Sequence, residues 1–277
     1  MSSPLISVAQ LRAALAQDPA PALLDVRFDV LAGALRADYE RAHIPGAAFV
    51  DLDADLAGEP GAGGRHPLPE PAVFIAAMRR SGVRRAQPVV VYDDAGGVMA
   101  ARAWWLLRHY GQRSVTLLDG GLSAWVADAG ELQAGSVAPE PGDFEGVPGS
   151  MPVLDADAAA DLARRAVLLD VRQPERYRGE IEPLDPVAGH IPGARNRSTR
   201  DNLDAAGRFL DPGALREAFG RVGAVDGSDV GVYCGSGVTA AHAVLALEVA
   251  GIRAALYPGS WSGWVADPSR PVATGEG

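Results

Sequence analysis

The two halves of this chain carry the same short motifs in the same order. The first half contains, in order, Leu23-Leu24-Asp25-Val26-Arg27, His43-Ile44-Pro45-Gly46-Ala47, Val89-Val90-Val91-Tyr92 and Trp125. The second half contains Leu168-Leu169-Asp170-Val171-Arg172, His190-Ile191-Pro192-Gly193-Ala194, Val230-Gly231-Val232-Tyr233 and Trp264. Matching residues lie 139 to 147 residues apart. Self-similarity of this kind indicates a structural unit that occurs twice.

The length of the chain agrees with two domains. Domains usually contain about 100 to 200 residues, and the sequence has 277. Proline and glycine crowd the stretch between the halves, at Pro139, Pro141, Gly142, Gly146, Pro148 and Gly149. We predict an N-terminal domain over 1–130, a linker over 131–152 and a C-terminal domain over 153–277. The glycine-rich stretch 58–64 lacks the strand and helix of a phosphate loop and is predicted to be a surface loop.

Short apolar runs alternate with helical patterns along the chain. Strands are predicted at Ala22–Val26, Pro88–Tyr92, Ser114–Leu118 and Val230–Tyr233, because continuous hydrophobicity is typical of buried parallel strands. Helices are predicted at Val8–Ala16, Pro71–Ser81, Met99–Tyr110, Leu122–Ala129, Asp155–Arg165, Pro212–Gly220 and Thr239–Ala250. Alternating strands and helices predict an α/β fold in which each domain is a mainly parallel sheet with helices on both faces.

The basic side chains of the sequence are all arginine. There are 25 of them and no lysine, against 35 acidic residues, for a formal charge of −10. Schiff-base chemistry, a pyridoxal-phosphate anchor and a Walker lysine are excluded because each needs an ε-amine. The acidic balance argues against nucleic-acid binding, which requires a basic surface. An anionic substrate must be held by local arginines or backbone N–H groups.

The sequence predicts no membrane span, no secretory signal and no metal site. The N-terminus has no basic segment followed by an apolar stretch, and no apolar run reaches the roughly 18 residues of a membrane span. The one cysteine, Cys234, cannot form an intramolecular disulfide, which is typical of a cytoplasmic protein. His66, His109 and His242 have no partner at metal-ligand spacing, so no metal is expected.

Cys234 follows a predicted strand and opens a glycine-rich loop that leads into a helix. The loop reads Cys234-Gly235-Ser236-Gly237-Val238-Thr239. Ligands of α/β sheets bind beyond the carboxyl ends of strands, where loop N–H groups and a helix N-terminus favour an anion. The thiolate is the form of cysteine that attacks, so Cys234 is predicted to be a nucleophile rather than a structural residue. The matching first-half loop begins with Asp93, so that half is predicted to lack the nucleophile.

The duplication and the Cys234 loop together resemble the tandem-domain rhodanese-like sulfurtransferases over nearly the whole chain, most closely the 3-mercaptopyruvate sulfurtransferase group. Thiosulfate-preferring relatives usually carry basic residues after the cysteine, where this chain has Gly235 and Ser236. The resemblance implies a catalytic C-terminal domain, an N-terminal domain without the cysteine and an active site between them. It also implies that sulfur passes from 3-mercaptopyruvate, which leaves as pyruvate, through a persulfide on Cys234 to a thiol or cyanide.

Donor-binding residues follow from the same resemblance. Arg176 matches the family's substrate-binding arginine, whose planar fork suits a carboxylate, and Arg178 is expected to assist it. Members of the group often have a second arginine nearer the following His-Ile-Pro-Gly motif, but residues 181–189 contain none. The other residues expected to bind the donor are Gly235, Gly237, Val238 and Thr239.

Proton transfer is the remaining task. The resemblance implies that Ser236 works with a histidine, which we place at His43 in the first His-Ile-Pro-Gly motif. Asp38 and Glu40 are both candidates for the acid that orients His43. Its counterpart His190 is expected to have only a structural role in a turn.

Alternative functions stay open. Thiosulfate is an alternative donor, because the predicted arginines also suit sulfite-like oxygens. A cysteine phosphatase or arsenate reductase begins a similar loop with cysteine but needs an arginine where this chain has Ala240. A non-catalytic sulfur-binding module fits the first half better than the second. No cofactor is expected, since the cysteine sulfur carries the transferred atom, and the acceptor is expected to be a thioredoxin, a small dithiol or cyanide.

Overall fold

The computed structural model of the protein describes residues 3–276, which form two units. Unit 1 comprises residues 3–58, 69–151 and 205–208, and unit 2 comprises residues 59–68, 152–204 and 209–276. The chain therefore passes from one unit to the other more than once. Residues 59–68 come from the first half of the sequence but belong to the unit that contains Cys234.

Unit 1 is built on a five-stranded parallel sheet with the strand order β1-β7-β6-β2-β5. Its strands are β1 (Leu5–Ile6), β2 (Ala22–Asp25), β5 (Ala48–Phe49), β6 (Val89–Tyr92) and β7 (Val115–Leu118), with β3 (Phe28–Asp29) and β4 (Gly33–Ala34) forming a separate antiparallel pair. Its helices are α1 (Val8–Leu15), α2 (Arg36–Arg41), α3 (Leu52–Asp55), α4 (Pro71–Arg80), α5 (Ala100–His109) and α6 (Gly121–Ala127).

Apolar side chains on both faces of this sheet are buried. Leu23 and Val90 pack in one cluster with residues of α1 and α6. Leu24 and Val91 point to the opposite face, because side chains alternate along a strand, and they are fully buried as well. The strands are therefore apolar without alternation, and the predicted α/β class is confirmed for this unit.

Unit 2 repeats the design with a four-stranded parallel sheet in the order β11-β10-β8-β9. Its strands are β8 (Val167–Asp170), β9 (Arg195–Asn196), β10 (Val230–Tyr233) and β11 (Ala255–Leu256). Its helices are α7 (Ala156–Arg165), α8 (Pro174–Arg178), a 3-10 turn (Thr199–Asn202), α9 (Pro212–Gly220), α10 (Val238–Val249) and α11 (Ser260–Val265).

The helix that follows the cysteine loop is deeply embedded in unit 2. α10 contacts β10, β11 and α9, and its residues from Ala240 to Leu247 are buried. A helix that is apolar on all sides is typical of the interior of a domain. α7 and α11 pack together with Leu168 and Tyr233 of the sheet. The loop between β10 and α10 is therefore held by two rigid elements.

The stretch predicted as a linker packs against unit 1. Gln133 and His43 exchange backbone hydrogen bonds of 2.9 and 3.0 Å, and the Phe144 side chain is 2% exposed. A Cβ at Gly142 would lie 1.9 Å from the Val83 carbonyl oxygen. Glycine is thus required there by close backbone contact, in a stretch whose glycines indicated a linker in the sequence. The unit boundary falls between residues 151 and 152.

Membrane-spanning helices and metal-binding clusters are both absent from residues 3–276. No helix in this part of the chain is long and apolar enough to cross a membrane. The same residues contain no group of three or more His, Cys, Asp or Glu side chains that could hold a metal ion.

Candidate active site

Cys234 lies directly after β10, at the carboxyl end of the unit 2 sheet. It is 2% exposed, and its Sγ accepts the N–H of Gly237 at 3.1 Å. Gly237 has φ +84°, and a Cβ there would lie 2.3 Å from the Pro258 carbonyl oxygen, so no larger residue fits. α10 begins at Val238, with its N-terminus facing the loop. The sulfur therefore lies where a backbone donor and a helix N-terminus stabilise negative charge.

A strained serine lies beneath the cysteine. Ser260 has φ +52°, a conformation that is uncommon outside glycine. Its Oγ accepts the N–H of Cys234 at 3.1 Å, donates to the Tyr257 carbonyl at 3.0 Å and lies 4.0 Å from Sγ. The equivalent residue of unit 1 is Gly121, with φ +57°. Unit 2 thus keeps a hydroxyl, at some cost in backbone strain, beside its sulfur.

Unit 1 shows what this kind of loop binds. Asp93 occupies the place of Cys234, and its carboxylate accepts four backbone N–H groups. Oδ1 accepts those of Ala95 and Gly97, both at 2.8 Å, and Oδ2 accepts those of Met99 and Ala100 at 2.8 and 2.9 Å. Burial raises the pKa of Asp93 above its ordinary value, and the four donors act in the opposite direction. The loop of the first unit is therefore an anion site that its own carboxylate fills.

His66 is the histidine beside Ser236. Its Nδ1 lies 2.8 Å from the Ser236 Oγ, two residues after Cys234. The sequence analysis considered His66 only as a metal ligand and missed this contact. The two residues are 170 positions apart, and no local pattern around His66 indicates which hydroxyl it meets.

The segment that carries His66 is docked on the start of α11. The backbone N–H of Arg65 donates to the Ser262 Oγ at 3.0 Å. A Cβ at Gly64, where φ is +103°, would lie 2.7 Å from the Gly259 carbonyl oxygen. The prediction of a surface loop over 58–64 is therefore wrong at its last residue, because Gly64 is buried and in tight backbone contact.

Two guanidinium groups face the cysteine loop at Gly235. A Cβ there would lie 2.9 Å from Nη2 of Arg65 and 3.5 Å from Nη1 of Arg176. Arg65 Nη1 pairs with Asp185 Oδ1, and Arg176 Nη2 lies 3.2 Å from Asp185 Oδ2. Glu182 Oε1 accepts from Arg176 Nη2 at 2.5 Å. Two acids of the stretch 181–189 thus hold both arginines in place.

Asp185 is a buried carboxylate among charged groups. Burial raises its pKa above the ordinary value, the Arg65 guanidinium opposes that shift, and Glu182 adds to it. Arg172 connects this cluster to the sheet, since it lies 3.2 Å from Glu182 and 2.6 Å from Asp170. Arg65 and Arg176 are therefore part of an ion-pair network that reaches Asp170 at the end of β8.

The family comparison agrees with the duplicated fold and with the position of the cysteine at the carboxyl end of a sheet. Residues 7–128 and 155–267 each match the model of the rhodanese-like domain. The chain belongs to the rhodanese family. A rhodanese fold for each half, predicted from the sequence, is confirmed.

Named relatives place this rhodanese among the sulfurtransferases. It is 47% identical, over 100% of both chains, to a Pseudomonas aeruginosa protein named "Probable 3-mercaptopyruvate sulfurtransferase". It is 45% identical to the Mycobacterium tuberculosis "Putative thiosulfate sulfurtransferase SseB", over 98% of this chain and 97% of that protein. The crystal structure of SseA from Escherichia coli, a 3-mercaptopyruvate sulfotransferase by its description, matches with a TM-score of 0.83 and 31% identity, covering 94% of this chain and 100% of that one. This rhodanese is accordingly a sulfurtransferase.

The structure places His43 of this rhodanese inside unit 1. His43 is 0% exposed, its Nδ1 lies 2.8 Å from the Tyr39 carbonyl oxygen, and its ring stacks on Tyr39 at 4.2 Å. In unit 2, His190 makes the same contacts with Tyr177, at 2.8 and 3.8 Å. A ring buried in this way has no surface for a substrate. The matched environments place both histidines in the cores of their own units, and the histidine that lies beside Ser236 is His66 rather than the predicted His43.

The acids considered for His43 have other partners. Asp38 Oδ1 accepts from Arg41 at 2.6 Å, and Glu40 Oε1 accepts from the Ser136 hydroxyl at 2.9 Å. The Nδ1 atom of His43 is instead engaged by a backbone carbonyl.

The remaining predicted residues divide between the loop and the surface. Gly235, Gly237 and Val238 are buried in the loop or at the first turn of α10, and Thr239 is half-buried at that turn. Arg178 pairs with Glu180 at 2.7 Å and lies 3.8 Å from Glu276. The contacts of Arg178 are thus surface ion pairs, which leaves Arg65 and Arg176 as the arginines beside Gly235.

Proposed function

We propose that this sulfurtransferase takes sulfur from 3-mercaptopyruvate and carries it as a persulfide on Cys234. The observation that supports this most directly is the position of Cys234, with its Sγ on a backbone donor at a helix N-terminus and the guanidinium of Arg176 over the next residue. A nucleophilic sulfur and a carboxylate-binding group are thereby brought to adjacent residues of one loop.

In the first half-reaction the Cys234 thiolate attacks the donor sulfur. A sulfur–sulfur bond forms, the carbon–sulfur bond of the donor breaks, and its electron pair remains on the carbon as the enolate of pyruvate. One proton added to that carbon completes pyruvate. The terminal sulfur on Cys234 carries the negative charge after it loses its own proton. The loop that favours an anion in the resting enzyme therefore also favours the intermediate.

Ser236 and His66 supply the proton in this proposal. The Ser236 hydroxyl is two residues from the nucleophile and 2.8 Å from the His66 ring. An imidazole that hydrogen-bonds a hydroxyl can pass a proton through it, as general acid catalysis requires. The pair thus connects the carbon that leaves to a group that exchanges protons with water.

The second half-reaction returns the enzyme to its starting state. A thiolate or cyanide attacks the terminal sulfur, the sulfur–sulfur bond breaks, and the Cys234 thiolate is regenerated. We propose a thioredoxin or a small dithiol as the thiol acceptor. No cofactor is needed for either step, because Cys234 carries the transferred atom. A cytoplasmic location suits a chain whose only cysteine must return to the thiolate after each cycle.

Thiosulfate is the second candidate donor. The paired guanidinium groups beside Gly235 suit the oxygens of a sulfonate as well as those of a carboxylate. Parallel steady-state assays with both donors and cyanide as acceptor separate the two. We expect kcat/KM to favour 3-mercaptopyruvate by tenfold or more, about 1.4 kcal/mol in transition-state binding. A preference for thiosulfate would reverse the order of the two donors.

Cys234→Ser tests the nucleophile itself. The Ser side chain is similar in size and also accepts the Gly237 N–H, so we expect the melting temperature to stay close to that of the wild type. Sulfur transfer from either donor should be lost, because a serine hydroxyl cannot form the persulfide. Mass spectrometry after incubation with donor should show one added sulfur in the wild type and none in the variant. Turnover by Cys234→Ser would exclude Cys234 as the sulfur carrier.

A further inference from the structure

Two arginines from distant parts of the sequence meet at one glycine. Arg65 lies in the docked segment 59–68, and Arg176 lies on α8. Nη2 of Arg65 and Nη1 of Arg176 would be 2.9 and 3.5 Å from a Cβ at Gly235. Since Gly235 directly follows Cys234, both guanidinium groups are directed to the loop of the nucleophile.

Each guanidinium is anchored on one side and open on the other. Asp185 holds Arg65 through Nη1, and Glu182 and Asp185 hold Arg176 through Nε and Nη2. Within residues 3–276, Nη2 of Arg65 and Nη1 of Arg176 donate no hydrogen bond. Both groups face Gly235, as does Arg176 Nη2 at 3.6 Å, which is also bound by Glu182. The anchored arginines therefore present unused donors at the cysteine loop.

Asp185 sets the distance between the two arginines. Its Oδ1 pairs with Arg65 and its Oδ2 lies 3.2 Å from Arg176, so one carboxylate bridges both. The Asp185 side chain is only 3% exposed, while that of Arg65 is 29% exposed. A buried acid that fixes two partly exposed guanidinium groups is a preorganised arrangement, in which little rotamer freedom is lost when an anion arrives.

We propose that Arg65 is a donor-binding residue which, with Arg176, forms a paired-guanidinium site for the carboxylate of the sulfur donor. The inference rests on the proposed function and deepens it, because it names the group that selects the substrate. Residues 181–189 contain no arginine, and the acids Glu182 and Asp185 of that stretch instead hold Arg176 and Arg65. Small anions that carry a planar or tripodal set of oxygens fit this site, and uncharged thiols do not.

Arg65→Gln tests the assignment by two independent readouts. Loss of a charge-assisted hydrogen bond to a carboxylate should raise KM for 3-mercaptopyruvate by about 10- to 100-fold. The affinity for pyruvate, measured by calorimetry, should fall by a similar factor. Arg164→Gln is the matched control, since Arg164 is an exposed arginine of α7 that pairs with Asp161, and both readouts should stay at their wild-type values.

Arg65→Lys guards against a variant that fails to fold. Lysine keeps a positive charge opposite Asp185 but lacks the second N–H group of the fork. We expect this variant to melt close to the wild type and to show KM for 3-mercaptopyruvate raised by about tenfold. Wild-type values of KM and of pyruvate affinity in both Arg65 variants would overturn the proposal.

Pyruvate binding separates this inference from the proposed function. It needs no sulfur transfer, so a wild-type protein that gains no sulfur from 3-mercaptopyruvate, yet binds pyruvate through Arg65, contradicts the function and supports the site. Normal transfer with unchanged KM in Arg65→Gln contradicts the site and leaves the function intact. A wild type that binds no pyruvate at all also overturns the site.

Discussion

At the scale of single residues, the proton transfer proposed for Ser236 and His66 distinguishes the reactions of the two donors. When 3-mercaptopyruvate gives up its sulfur, a carbon must be protonated. When thiosulfate does so, sulfite leaves and needs no proton on carbon. The hydrogen bond of 2.8 Å between Ser236 and His66 should therefore matter for one donor far more than for the other.

His66→Asn is the corresponding prediction. We expect kcat with 3-mercaptopyruvate to fall by about 10²-fold or more, the usual range for loss of general acid catalysis. With thiosulfate, kcat should change by less than about threefold, which makes the second donor the internal control. Stopped-flow measurement of pyruvate and sulfite release distinguishes the two. Equal losses with both donors would indicate that His66 positions the loop and does not move a proton.

Sequence reasoning placed His43 beside Ser236, whereas His66 lies there in the structure, and the difference has a physical reason. His43 and His190 lie in a motif that occurs once in each half. In its own unit, each histidine ring stacks on a tyrosine and its Nδ1 hydrogen-bonds the backbone carbonyl of that tyrosine. The motif occurs twice because both units pack a histidine in the same way. His66 has no counterpart in the second half, and its partner Ser236 is adjacent only in three dimensions. Cys234, by contrast, could be predicted from its strand, glycines and helix, all of which are local.

At the scale of elements, the docked segment 59–68 is what carries Arg65 and His66 to the cysteine loop. It has almost no secondary structure of its own, so its position depends on contacts with α11. Gly64 is the tightest of these contacts, with φ +103° and a Cβ position 2.8 Å from the Ser262 Oγ. Helices and strands with clear periodicity could be predicted to within a residue or two. This segment has no periodicity, and its docking could not.

Gly64→Ala should therefore impair catalysis without touching a reacting group. The added methyl group must push the segment away from α11, and a displacement of about 1 Å at a catalytic group can reduce kcat/KM by about 10²-fold. Gly61→Ala is the control, since its Cβ would meet nothing within 4 Å. Steady-state kinetics and the melting temperature of both variants check the prediction. A wild-type kcat/KM in Gly64→Ala would show that the segment tolerates displacement.

The Asp93 loop gives a stability prediction for unit 1. Asp93→Asn replaces one carboxylate oxygen with an N–H₂ group that faces backbone donors, so at least one buried N–H loses its acceptor. We expect the free energy of unfolding to fall by about 2 to 3 kcal/mol. Asp94→Asn is the control, because Asp94 is exposed and keeps an oxygen for Ser123. Urea denaturation followed by near-ultraviolet circular dichroism measures both. Equal stability of the two variants would contradict the anion-site interpretation.

At the scale of the whole molecule, the sequence motifs were sufficient to predict two rhodanese-like domains. The offset of 139 to 147 residues between matching motifs predicted the duplication, and the resemblance of the Cys234 loop supplied the family. The unit boundaries could not be predicted in the same way. Residues 59–68 lie in the first half of the sequence but belong to unit 2, and residues 205–208 lie in the second half but belong to unit 1. Their composition does not indicate which unit each segment joins. The prolines and glycines between the halves suggested a linker over 131–152, although close packing on unit 1 is what requires glycine at Gly142 and Gly146.

A chain with one cysteine has no second thiol that could protect an oxidised Cys234 by forming a disulfide with it. Excess peroxide carries a cysteine thiolate past sulfenic acid, which thiols still reduce, to sulfinic acid, which they do not, whereas oxygen added to the outer sulfur of a persulfide is removed when a dithiol cleaves the sulfur–sulfur bond. We expect enzyme loaded with 3-mercaptopyruvate before peroxide treatment to regain most of its activity with a dithiol. Enzyme treated without donor should remain inactive, with two added oxygens on Cys234. Full recovery of the unloaded enzyme would contradict this prediction.

The carboxylate of Asp93 has a consequence for how the two copies of the fold diverged. It is a ligand tethered to its own binding site by one Cα–Cβ bond, so its effective concentration there exceeds that of any free anion in solution. A free anion would have to compete with this tethered carboxylate and its backbone hydrogen bonds. The loop of the first copy is thus occupied by its own carboxylate and has no cysteine to carry sulfur. A single Asp93→Cys change would vacate that site but would leave a loop whose N–H groups were fitted to two oxygens.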